Sequence, residues 1–412
     1  METTADVLII GAGASGAALA WSLAETRMNI VCLEQGEWID PAQLPGTSTD
    51  WEVRQLGDFN FSPNTRQRRE DYPVNDSESP IAVSMFNAVG GSTILYAAHF
   101  PRFRPTDFRV RSLDGVADDW PIDYARLEPY YDAEGIERRQ KAEVVVVACN
   151  GIGTPRLLLN SRSKQFPDGL ANRSGLVGRN LMFHPYAMVT GLFDEPLEGY
   201  KGPTGCCIMS QEFYASDPSR GFTRGYSFEI LRGFGPVYTA LWAMSKGQLP
   251  WGAGHHQTFA ELFDRTAGMV VISEDLPDPA NCVTLDPDMK DSDGIPSPKI
   301  NYRLSENSIT MLEHSVARAT EVLEASGAKR TITESPLRVA GWHLMGTARM
   351  GTDPETSVAN AWGRCHDVRN LFIVDGSIFV TAAAVNPTNT IQALALYIAD
   401  TMKKNLANLF DD

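Results

Sequence analysis

The sequence predicts an α/β protein: a parallel sheet with helices on its faces, and a second domain built on an antiparallel sheet with flanking helices. Three observations carry that prediction. Short, wholly apolar runs followed by glycine turns and helical segments occur near both ends of the chain, the pattern of strands buried on both faces of a parallel sheet. From Tyr186 to Ala340 the chain instead breaks into short strand-like runs separated by Gly, Pro and Asp turns, as antiparallel sheets do. A length of 412 residues also exceeds what a single core usually serves. The expected boundaries are 1–185 together with 341–412 for the parallel-sheet domain, and 186–340 for the second.

The first unit is the most informative. Val7-Leu8-Ile9-Ile10 leads into Gly11-Ala12-Gly13-Ala14-Ser15-Gly16 and an Ala-rich segment, which reads as strand, tight turn, helix. Gly11 permits the turn, Gly13 lets backbone approach a pyrophosphate, and Gly16 lets the helix lie close to the strand, while the N–H groups at Ala14 and Ser15 open towards an anion. A second apolar run ends at Glu34, eighteen residues after Gly16, where a carboxylate can accept hydrogen bonds from ribose hydroxyls. The ligand expected is a dinucleotide, NAD or FAD rather than NADP, whose 2′-phosphate Glu34 would repel.

Residues 40–80 show no periodicity and read as a long loop over the ligand. Val89-Gly90-Gly91-Ser92-Thr93 follows, a glycine pair able to set backbone N–H groups against a large planar ligand. Asp123 is a candidate N-cap for an amphipathic helix running to about Tyr131. The run Val144-Val145-Val146-Val147-Ala148 marks another buried strand, after which Thr154 is expected to cap a helix with Pro155 in its first position. In the second domain, strands are expected at 187–193, 226–230, 269–273, 281–285 and 299–302, all in one antiparallel sheet. A helix over 305–325 would bury Ile309, Leu312, Val316, Ala319 and Leu323. Leu371–Val374 returns to the first sheet, and a helix opens after Asn386-Pro387-Thr388.

Bulk properties narrow the function. A net charge of −15 repels phosphate backbones, so nucleic acid is not an expected partner. No transmembrane run or leader is visible ahead of the first strand, which points to a cytoplasmic protein. The six cysteines include no C-x-x-C pair and read as reduced structural thiols. The acidic stretch from Asp286 to Gly294 lacks the spacing of a calcium loop and reads as a turn, so no metal is expected. His99 and His184 read as packing or hydrogen-bonding residues, and Glu274-Asp275 has no partner that the sequence reveals.

With these pieces in order, the sequence resembles the glucose-methanol-choline (GMC) oxidoreductase family of flavoproteins. The resemblance rests on Gly11 to Glu34, on Gly90-Gly91-Ser92-Thr93, and on Ala148-Cys149-Asn150-Gly151-Ile152-Gly153-Thr154-Pro155. It rests also on a terminal block, His343-Leu344-Met345-Gly346-Thr347-Ala348-Arg349-Met350-Gly351, then Val374-Asp375-Gly376-Ser377, then Asn386-Pro387-Thr388. It implies FAD, with the adenosine end at Gly11, Gly13, Ala14, Ser15, Gly16 and Glu34, and the pyrophosphate and flavin near Gly90, Gly91, Ser92, Asp375 and Gly376. Pro387 and Thr388 would border the flavin. The implied reaction is oxidation of an alcohol on a sugar, polyol or sugar acid: His343 takes the hydroxyl proton, Asn386 holds the same oxygen, and flavin N5 accepts the hydride. A dehydrogenase is expected over an oxidase, with an electron acceptor (oxygen, quinone or redox protein) that the sequence does not identify.

Two departures from the family pattern stand out. Leu95 occupies the position at which some members attach flavin through histidine, so the FAD should be non-covalent. Between Tyr131 and Lys141 the family carries a segment the size of a small domain, which Asp132–Arg138 here replaces. That leaves three readings open: a compact FAD enzyme, a non-catalytic remnant serving as a binding or assembly subunit, or an NAD-dependent dehydrogenase that uses only the first motif.

Overall fold

A computed structural model of the chain describes residues 4–45, 48, 50–95, 99–123, 141–201 and 206–405. Strands in chain order are β1 (Thr4–Ile10), β2 (Ile30–Leu33), β3 (Asn75–Glu78), β4 (Lys141–Val147), β5 (Tyr186–Leu192), β6 (Cys206–Ser210), β7 (Tyr226–Leu231), β8 (Thr266–Ser273), β9 (Cys282–Lys290), β10 (Pro296–Asn301), β11 (Arg330–Glu334) and β12 (Leu371–Ile373). They alternate with helices α1 (Ala14–Leu23), α2 (Asn150–Asn160), α3 (Glu306–Ala325) and α4 (Thr388–Lys404). The expected helix after Asp123 and the junction from Tyr131 to Lys141 lie outside the described residues.

The first sheet is parallel, in the order β12–β4–β1–β2. Val7, Ile9, Val144, Val146 and Phe372 share one face of the sheet and join α1 and α4 residues in one large core. The opposite face, with Leu8, Ile10 and Val145 only half-buried, is less covered than a strand buried on both sides would be. The turn after β1 is tight because Gly11 adopts φ 105°, and a Cβ there would sit 2.4 Å from the Ala148 carbonyl oxygen. α1 then packs along α4, and Lys403 in the last turn of α4 donates to the Ser22 carbonyl at 3.2 Å. The sheet is thus Rossmann-like and is assembled from both ends of the chain.

The antiparallel sheet runs β11–β5–β8–β7–β6. The reading of one sheet for all middle strands needs correction: β9 and β10 form a hairpin that pairs with β3, β10 running parallel to it. The reason is a separate core, in which Val283 and Ile300 pack with Tyr72, Val74, Ile81, Ile152 and Phe183. Residues 40–80 accordingly supply a strand and two short helices, tied by a buried Arg66–Asp71 ion pair at 2.6 Å.

Two helix readings also shift. α3 is capped by Ser305, whose hydroxyl accepts from Ser308 N at 3.0 Å, but its buried face is Ser308, Met311, Leu312, Ser315, Ala319 and Leu323, with Ile309 exposed. Serines sit on the inner face because their hydroxyls find partners, Ser315 on the Leu312 carbonyl and Ser308 on Asp275. α2 starts before Thr154: Asn150, at φ 66°, accepts from Ile152 N and Gly153 N, so the capping oxygen is Asn150's. Pro155 falls inside the helix, leaving the Gly151 carbonyl without its usual N–H donor. The Thr347 hydroxyl fills that place at 2.8 Å.

Glu274 and Asp275 do have partners. Arg224, buried, binds Glu274 (2.9 Å), Asp107 (2.7 Å) and Asp114 (2.8 Å), while Asp275 accepts from Tyr302 at 2.7 Å. Among the described residues no helix is long and apolar enough to cross a membrane.

The Thr347 contact makes a direct test of the fold. Thr347→Val preserves shape but strands a buried carbonyl, so stability should fall by about 1–3 kcal/mol. Urea unfolding followed by tryptophan fluorescence measures it, and an unchanged midpoint and slope would remove the hydroxyl from the account of α2.

Candidate active site

Parallel pairing places the carboxyl ends of β1, β4, β2 and β12 on one edge, and the loop that follows each strand opens there. A cavity of about 640 Å³ lies along that edge. Its wall contains Gly11, Gly13, Ala14 and Ser15 from the first turn, Glu34 after β2, Gly91 and Ser92 from the second glycine pair, and Asp375, Gly376, Pro387, Thr388 and His343 from the terminal block. Segments separated by more than three hundred residues thus face one space. Tyr72, Asn87, Arg156 and Trp342 also line it, and the sequence reading did not single them out. Arg156 carried no motif signal, yet its guanidinium lies 4.3 Å from the centre of the Tyr72 ring.

Gly16, Gly90 and Asn386 are not on the wall. Gly16 sits beneath it, where a Cβ would collide with the Gly11 carbonyl at 1.9 Å. Gly90 N–H donates to the Ala12 carbonyl at 2.9 Å, joining the two glycine motifs. That contact brings the chains so close that a Cβ on Gly91 would lie 3.1 Å from Gly13 Cα.

The electrostatics suit a dinucleotide. No side chain caps α1, and its first turn carries no acid, so the helix start keeps its positive end for an anion. The Glu34 carboxylate is fixed by Ala12 N (2.7 Å) and Gly36 N (3.0 Å) and still borders the cavity. Asp375 accepts from Ser377 N at 2.8 Å and from the Thr154 hydroxyl at 2.5 Å, and burial pushes its pKa up. The bare backbone of the closely packed Gly13 and Gly91, where a side chain would intrude, and the uncapped helix start fit FAD's pyrophosphate.

His343 is a buried histidine on the wall. Its Nδ1 lies 2.7 Å from His184 Nδ1 and 3.3 Å from the Tyr186 hydroxyl. Burial, with His184 and His99 nearby, holds its pKa well below the usual histidine value. His184, read from sequence as a packing or hydrogen-bonding residue, is fully buried against it, and its pKa is pushed down to about 4 by burial. The Asn386 side chain turns instead to His99, Nδ2 to Nδ1 at 3.3 Å, and its buried Oδ1 has no protein partner among the described residues. His99 in turn lies 2.8 Å from Glu229 of β7.

Comparison with known proteins agrees with this geometry. The family model described as GMC oxidoreductase matches residues 277–395, and one described as an NAD(P)-binding Rossmann-like domain matches residues 9–67. The chain is 33% identical to 2-methyl-1,2-propanediol dehydrogenase of Mycolicibacterium austroafricanum, over 100% of this chain and 98% of the relative. It is also 33% identical to the fructose dehydrogenase large subunit of Gluconobacter japonicus, over 67% of this chain and 50% of that one. Two solved structures share the fold at 14% identity: pyridoxine 4-oxidase from Mesorbium loti (TM-score 0.66, 97% and 99% covered) and a formate oxidase (TM-score 0.67, 100% of both). The alignment with the diol dehydrogenase runs over 542 positions against 412 residues here, so that relative carries more than a hundred residues that this chain lacks.

The histidine environment predicts a specific titration. A lowered pKa means the neutral form persists on acidification, so the ring resonances of His343 and His184 should stay fixed from about pH 8 down to about pH 5.5. Histidine proton NMR measures this, and a His343 midpoint near the unperturbed value would contradict the dry environment.

Proposed function

The chain belongs to the GMC oxidoreductase family, and from that premise we propose that it is an FAD-dependent dehydrogenase oxidising an alcohol group of a sugar, polyol or sugar acid. The observation that carries the proposal is the convergence of the first-turn glycines, Glu34 and His343 on one cavity. FAD is the cofactor of the family. We assign its adenosine end to Gly11, Gly13, Ala14, Ser15 and Glu34, with Gly16 beneath them, and its pyrophosphate and ring end to Gly90, Gly91, Ser92, Asp375, Gly376, Pro387 and Thr388. When bound, the flavin supplies a hydride acceptor at N5. Leu95 offers no nucleophile at the position of histidine attachment, which supports a non-covalent cofactor.

The protein's own part is to bind, orient and take a proton. His343, neutral at working pH, accepts the hydroxyl proton as the C–H bond is oxidised, a contribution of roughly 10²–10⁴-fold. Asn386 holds the same oxygen; its unpartnered Oδ1 supports a ligand-binding role. Full-length similarity to a protein named for a short diol favours small polyhydroxylated substrates and a dehydrogenase. An NAD enzyme using the first motif alone leaves the match over residues 277–395 without a role. The non-catalytic remnant keeps one observation in its favour, the residues that the diol dehydrogenase has and this chain lacks.

A visible spectrum taken before and after acid precipitation separates these readings. Flavin absorbance released into the supernatant is expected; protein that is folded yet colourless, and takes up no added FAD, would favour the remnant. In the FAD-loaded protein, His343→Ala should retain the flavin and lose about 10²-fold or more in the rate of its reduction by substrate. Reduction at the unchanged rate would sink the assignment of His343.

A further inference from the structure

The proton positions of the two buried histidines follow from what surrounds them. His184 Nε2 lies 2.8 Å from the Ala383 carbonyl oxygen and 3.2 Å from that of Ala382. A carbonyl only accepts, so this nitrogen carries a hydrogen. Burial keeps His184 neutral near pH 7, which leaves its Nδ1 bare. That bare nitrogen is 2.7 Å from His343 Nδ1. Two lone pairs would repel at this separation, so the hydrogen between them belongs to His343. A neutral imidazole has one N–H, and His343 Nε2 must therefore be the unprotonated atom. The Tyr186 oxygen, 3.3 Å from the same Nδ1, is a longer second acceptor for that N–H.

The carbonyls that start this chain of inference are themselves held by strain. Ala383 has φ 57°, a left-handed conformation that a Cβ disfavours, and the stretch from Ala382 to Val385 is fully buried. The turn aims two successive carbonyls at a single ring nitrogen, and strained backbone of this kind persists where the surroundings impose it.

We propose that His184 is a positioning residue that locks His343 in the Nδ1–H tautomer and so makes Nε2 its basic atom. This rests on the reading of His343 as the proton acceptor. A base whose hydrogen sat on Nε2 would present a donor to the substrate hydroxyl and could not take its proton. His184 thus selects the tautomer without touching the substrate, as outer partners of functional histidines do elsewhere.

The test uses protein with ¹⁵N-labelled histidine, with and without FAD, and long-range ¹H–¹⁵N spectra assigned through His343→Gln and His184→Asn. Expected are a bare Nε2 and protonated Nδ1 for His343, and the reverse for His184. His184→Asn offers an acceptor oxygen near the position of Nδ1 and should keep both the His343 tautomer and flavin reduction within about tenfold. His184→Leu removes the acceptor; the His343 tautomers should mix, and flavin reduction should slow on the order of 10²-fold with unchanged flavin content. An Nε2–H tautomer for His343 in the unsubstituted protein overturns the proposal whether or not the Leu variant folds. Equal loss of rate in both variants with the tautomer unchanged also overturns it, since that is the signature of packing alone. If the tautomers are as stated but His343→Gln reduces flavin at the full rate, the lock stands and the base assignment of the preceding subsection falls.

Discussion

The site depends on the pairing of a very short strand. β12 meets β4 through Leu371, Phe372 and Ile373 against Val145, Val146 and Val147. Few ladder bonds hold it, so its stability must come from burial: Leu371 through Val374 are all in the core. Two side-chain bonds add direction to that non-directional force. Thr154 ties α2 to Asp375, and Thr347 ties α2 to the His343 segment through the Gly151 carbonyl. Because β12 is seated in register, Asp375 and Gly376 arrive at the same sheet edge as Gly11 and Glu34, and the chain's two ends share one cavity.

What the sequence made legible is what local chemistry dictates. The Gly11 turn requires positive φ, Glu34 must end its strand to reach the edge, and α3 shows its helical period within its own residues. These depend on spacing within one unit, which a sequence displays. The errors share the opposite cause. Pro155 looked like the start of a helix because the hydroxyl compensating for its missing N–H comes from Thr347, far along the chain. β9 and β10 looked like members of the large sheet because their partner β3 lies in a stretch without periodicity. His184 was legible as a packing or hydrogen-bonding residue, but its partner was not, because that group is 159 residues away.

Charge is managed by the same division between surface and interior. The net −15 sits on a surface that water screens, whereas the interior groups are either compensated or neutral. Arg224 gathers three carboxylates around one guanidinium, and burial pushes Asp107 and Glu274 up while the arginine draws them back. That cluster links the segment around Asp107 to the antiparallel sheet. The histidine pair takes the other course: both rings lose their charge, and the hydrogen bond between them survives because each neutral ring has one donor and one acceptor.

The flank of the cavity beside Glu34 is the least covered part of the parallel sheet. Among the described residues β2 is the edge of the parallel sheet, and Leu33 is 39% exposed beside Glu34. A neighbouring strand there would cover Leu33. What borders the cavity beside that edge is the uncapped start of α1, the closely packed Gly13 and Gly91, and the Glu34 carboxylate fixed by Ala12 N and Gly36 N. His343, His184 and the carbonyls of Ala382 and Ala383 are placed by the β12 loop and the start of β5. The exposed strand edge is thus confined to the Glu34 side of the site, while the histidine pair is held by buried elements far from that edge in sequence.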